Sequence, residues 1–128
     1  MSGADHSPFG FRACTQTRSE GDDVLVVELW GELDILAAEK LRPLVIGRTR
    51  GWPGPLLFDL RRVSFMDCSA LSLLCLLRRQ ADPRHGRPTL VTDNPFFVRL
   101  LRLAGLLDTF HVIPDMHPSL RAEHRRSA

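Results

Sequence analysis

Apolar residues in this chain come in short runs separated by turn signals, and two kinds of run alternate. Val24 to Trp30 is β-branched and apolar, bounded by Gly21-Asp22-Asp23 before it and Gly31 after it, which predicts a strand. Leu56 to Leu60 is short and continuously apolar, the pattern of a strand in the middle of a sheet. Between them Ile35, Ala38, Leu41 and Val45 fall near one helical face, and Asp34 is placed to cap that helix. Pro43 inside this pattern predicts a kink or a break. Gly51-Trp52-Pro53-Gly54-Pro55 ends the segment.

The alternation continues. Ser69 to Gln80 reads as a helix apolar around most of its circumference, with Leu74 and Leu77 expected in the core. Arg78 and Arg79 suit the negative end of its dipole. Arg61 to Met66 reads as a connection, Asp82 to Gly86 as a loop, and Pro88 to Thr92 as a short strand. Asn94 and Pro95 open a further helix over Phe97, Val98, Leu101 and Ala104, stopped by Gly105. Thr109 to Ile113 is a last short strand, and Pro118 to Arg125 a terminal helix anchored by Leu120. Phe9 to Thr17 adds a first strand. The order is β-β-α-β-α-β-α-β-α. It predicts an α/β fold, a mixed sheet of four to five strands, parallel in its core, with about four helices. One domain over residues 9–125 is expected, after a flexible lead-in at 1–8 and before a short tail at 126–128.

Composition removes several function classes. No apolar run is long enough to span a bilayer, and the N-terminus has no basic segment followed by an apolar one, so neither membrane nor secretion is expected. Three cysteines without framework spacing favour free thiols in a cytoplasm. A net charge of +2 is too small to argue for nucleic acid. No glycine-rich phosphate loop follows a strand, so no nucleotide cofactor is implied. The five histidines show no metal-binding spacing, and no metal is expected. Cys68 and Cys75 are seven apart, roughly 10 Å along a helix, beyond disulfide reach.

What remains is a pair of motifs, Trp30-Gly31-Glu32-Leu33-Asp34 and Phe65-Met66-Asp67-Cys68-Ser69-Ala70-Leu71. An acid, a thiol and a hydroxyl interrupt what would otherwise be core. They read as a helix cap, a nucleophile or a site of modification. Asp67 and Asp34 suit N-caps. Cys68 suits a small buried filler, and Ser69 a residue bonding backbone amides. A Cys68 nucleophile would need a base and a substrate pocket, and the sequence supplies no signature for either.

Both motifs, in this order and at this spacing, resemble the STAS domain of anti-sigma factor antagonists, the anti-anti-sigma proteins of bacterial partner-switching pathways. The resemblance runs from about Val24 to Leu120, and takes in Asn94-Pro95, Gly105-Leu106 and Phe110. It implies a non-enzymatic cytoplasmic protein that binds an anti-sigma factor with serine kinase activity and thereby regulates transcription. It places partner contacts at Glu32, Asp34, Asp67, Cys68, Ser69 and Ala70. A monomer is expected, with a weak dimer as the alternative. In the family, the serine directly after the Asp is phosphorylated and the modified protein releases its partner. Here that position holds Cys68, which a serine kinase does not modify in the same way, so Ser69 becomes the candidate acceptor. Ala70 stands where the family has Gly, adding one methyl expected on the partner surface. Two alternatives stay open: a STAS module for scaffolding or sensing without phosphorylation, and a cysteine-based redox protein using Cys68.

Overall fold

The computed structural model describes residues 8–18, 21–80 and 82–116. Five strands form one sheet in chain order: β1 (Phe9–Thr17), β2 (Asp23–Leu33), β3 (Leu56–Met66), β4 (Thr89–Val91) and β5 (His111–Ile113). β1 is antiparallel to β2, and all later pairs are parallel. The helices are α1 (Ile35–Thr49), α2 (Cys68–Arg79) and α3 (Pro95–Leu103), with one 3-10 turn at Pro83–His85. The expected terminal helix at 118–125 lies outside the described residues.

Strand alternation explains why the central strands are apolar on both faces. Leu25, Val27 and Leu29 of β2 join Phe58 and Leu60 of β3 in one large cluster. Ala37, Leu41 and Val45 of α1, Leu74 and Leu77 of α2, and Phe97 and Leu101 of α3 belong to the same cluster. The alternate residues Val24, Val26, Leu57 and Val91 form a smaller cluster with Met116 on the other face.

Two elements differ from their sequence signals. β3 does not stop at Leu60: the segment expected as a connection, Arg61 to Met66, continues the strand. Its partner is β2 alone, through Trp30↔Arg62, Gly31↔Val63, Glu32↔Phe65 and Leu33↔Met66. Arg61 and Arg62, at the head of this segment, have partners that hold the extension in place. Arg61 donates from its backbone N–H, Nε and Nη2 to the buried Asp59 at 2.9–3.1 Å, and from Nη1 to Asp115 at 2.9 Å. Arg62 lies 5.4 Å from the centroid of the Trp30 ring. α1, for its part, runs unbroken through Pro43. Pro43 is exposed, so the Glu39 carbonyl it leaves without an amide partner is on the helix's outer side.

Candidate functional site

The parallel pairing of β2 and β3 fixes the site. Leu33 and Met66, the last residues of the two strands, are register partners. The next residue in each chain segment is an aspartate that caps a helix. Asp34 Oδ1 accepts from the Ala37 amide at 3.0 Å, and Asp67 Oδ1 accepts from the Ser69 amide at 2.9 Å. Both caps therefore lie at the carboxyl edge of the parallel strands, as the strand-then-helix reading requires. This edge is where open α/β sheets collect their sites.

α2 begins at Cys68, one residue earlier than its sequence pattern suggests. Cys68 is exposed, Ser69 is half-buried, and Ala70 is 1% exposed within the main core. The methyl of Ala70, expected on the partner surface, therefore packs inward. Helical geometry explains the split, because successive residues turn by about 100° and only one of three neighbours can face the core squarely. Glu32 is exposed beside them, opposite Phe65 in the register.

Sequence reasoning missed a set of apolar neighbours. Among the described residues the exposed large hydrophobics are Ile35, Leu36, Leu44, Phe65, Phe96 and Leu103. Three of the six, Ile35, Leu36 and Phe65, lie at the paired ends of β2 and β3, whereas Phe96 follows β4, whose last residue Val91 is level with Asp59 and so well short of the end of β3. Ile35 and Leu36 open α1, Phe65 ends β3 with Met66, and Phe96 is the second residue of α3. Periodicity marks such residues as core; their exposure follows only from where each element ends.

The cysteine-nucleophile arrangement is not assembled among the described residues. His85 lies in the 3-10 turn before β4, and His111 opens β5, so both are at the amino edge, opposite Cys68. No group of three or more His, Cys, Asp or Glu residues forms a metal-holding cluster among the described residues. No helix among them is long and apolar enough to cross a membrane.

A family model for the STAS domain matches residues 17–120. An anti-sigma F factor antagonist of Lysinibacillus sphaericus is 28% identical over 85 residues, which is 66% of this chain and 73% of that protein. Among solved structures, an anti-sigma factor antagonist from Mycobacterium paratuberculosis superposes with a TM-score of 0.66 at 24% identity, covering 90% of this chain and 95% of the other. The anti-sigma factor antagonist SpoIIAA is similar in its unphosphorylated form, with a TM-score of 0.64 at 22% identity over 93% and 98% of the two chains. The phosphorylated Bacillus form gives 0.57 at 23% over 93% and 100%. At these identities the structures establish the shared fold. The match spans most of the sequence, from the end of β1 past β5, and on that extent this chain belongs to the STAS domain family.

Proposed function

We propose that this protein is an anti-sigma factor antagonist: a non-enzymatic cytoplasmic switch component that docks through the carboxyl edge of its sheet on an anti-sigma factor with serine kinase activity. The observation that carries this reading is the gathering of exposed apolar side chains at the edge that also bears Asp34, Asp67, Cys68 and Ser69. Exposed apolar groups around a small polar centre suit a protein interface. Glu32 adds a charge beside them. The kinship with anti-sigma factor antagonists supports the choice of partner.

Ser69 is the proposed phosphoacceptor. A phosphate there would lie in the first turn of α2, where free amides and the dipole offer an anion roughly 0.3–1 kcal/mol. That tolerates the charge without driving a refolding. The effect then falls on the interface, where up to about two negative charges meet groups complementary to a neutral hydroxyl. Ser69→Ala is expected to bind the kinase constitutively, and Ser69→Asp to bind poorly. The decisive measurement is incubation with the cognate kinase and ATP, followed by mapping of the phosphate by mass spectrometry. Phosphate on Ser64 or Ser72, both exposed, would overturn the assignment.

One observation favours a second reading, a STAS module that scaffolds or senses without phosphorylation. The exposed first position of α2 carries a thiol, while the serine that follows, Ser69, is half-buried. Under that reading the kinase leaves the native chain unmodified, binding persists, and Cys68→Ser gains phosphate at position 68.

A further inference from the structure

The opposite edge of the sheet holds a cluster that this switch does not use. The C-terminal end of α2 lies roughly 16 Å from Cys68 by the helical rise. There it meets the loop entering β4 around a cleft of about 390 Å³ lined by Arg78, Arg79, Pro83, Gly86, Arg87 and Pro88. The lining includes three arginines and no acidic residue. Arg78 and Arg79 are exposed and form no ion pair among the described residues. Arg87 donates from Nη1 to the backbone carbonyl of Asp108 at 3.3 Å, a contact that anchors the side chain without neutralising it. The acid in the adjacent turn, Asp82, is already paired. It accepts from Arg84 Nη2 at 2.9 Å and from Arg84 Nε at 3.2 Å, and it caps the Arg84 amide at 3.0 Å.

Arginines in the last turn of a helix have an ordinary role, complementing the carbonyl end of the dipole. That accounts for Arg78 and Arg79. It does not account for Arg87, which reaches the same cleft from the strand side of the loop. Gly86, at φ +74°, turns the chain there, and a Cβ on it would meet nothing within 4 Å, so that wall is open to solvent. Pro83 and Pro88 stiffen the other walls.

We propose that this cleft binds a phosphate-bearing small molecule through Arg78, Arg79 and Arg87. Guanidinium forks match phosphate oxygens in pairs, and three forks from two segments suit a tetrahedral dianion better than one planar carboxylate. The lining has no aromatic side chain on which a base could stack, so the phosphate group itself is what the site reads.

The test titrates pyrophosphate into the ¹⁵N-labelled full chain and follows amide shifts at low and at physiological ionic strength. Saturable shifts confined to residues 78–79 and 86–87 are expected. Affinity should fall by about tenfold or more in an Arg79→Gln/Arg87→Gln variant, the loss expected when charged hydrogen bonds are removed. Arg99→Gln, an exposed arginine on α3, should bind as the native chain does. If the double variant melts early, Arg87→Gln alone is expected to weaken binding in the same direction by a smaller factor. Shifts spread equally to Arg61–Arg62 and Arg99–Arg102 would overturn the site in favour of diffuse attraction. So would unchanged binding in the variants. Succinate binding as tightly as pyrophosphate would overturn the assignment to phosphate.

Discussion

Gly31 shows how much one position can fix. It lies inside β2 at φ +90°, at a register shift against β3, and a Cβ there would stand 1.9 Å from the Pro8 carbonyl oxygen. No side chain fits without moving β1, and the backbone conformation itself disfavours one by about 1–2 kcal/mol. Gly31→Ala is therefore expected to destabilise the domain by at least that much in urea unfolding. An unchanged midpoint would mean that β1 does not hold this position against β2. In the sequence Gly31 reads as the end of a strand, because the clash that explains it comes from a residue 23 positions earlier. Asp34 and Asp67 were legible for the opposite reason. Each cap bond closes within three residues of its own backbone, so the residue type carries the whole signal.

At the scale of elements, helix starts and apolar strands were readable, while the extent of β3 and the continuity of α1 through Pro43 were not. Both failures have the same physical origin, a local signal overridden by tertiary contacts. Arg61 and Arg62 break the apolar run, yet Asp59, Asp115, Glu28 and Trp30 give them partners that keep the strand extended. Pro43 costs a helix interior about 3 kcal/mol relative to Ala. The helix persists because Ala37, Ala38, Leu41 and Val45 are buried on the sheet side. Pro43→Ala restores an amide donor on the exposed side and leaves the packed face untouched. Against this gain stands roughly 0.4–1 kcal/mol from the unfolded chain, which proline also restricts. A net stabilisation of about 2 kcal/mol is expected, read as a higher urea midpoint at unchanged slope. A lower midpoint would show that α1 is bent around the proline and packs because of that bend.

For the molecule as a whole, the consequential fact is polarity of the sheet. Four parallel-running strands, β2 to β5, point the same way, so every helix that follows one of them starts at the same edge. The caps Asp34 and Asp67 are placed together by topology and register, and the exposed Ile35, Leu36 and Phe65 come with them, while Asn94 starts α3 from the shorter strand β4. Leu103, 77% exposed, ends α3 and so belongs to the other edge. This contrast gives an internal control for the proposed interface. Ile35→Asp and Leu36→Asp each place a charge on an apolar, solvent-facing position in the first turn of α1, where the helix dipole favours an acid, so the cost to the free domain is small. In a complex the same charge would be buried without a partner, at several kcal/mol. Each is therefore expected to weaken binding to the anti-sigma kinase by about a hundredfold or more, with the melting temperature of the free protein nearly unchanged. Leu103→Asp should change neither. Calorimetric titration of the partner with the three variants decides the matter. Equal losses from all three would dissolve the distinction between the edges, and a loss from Leu103→Asp alone would move the interface to the amino edge.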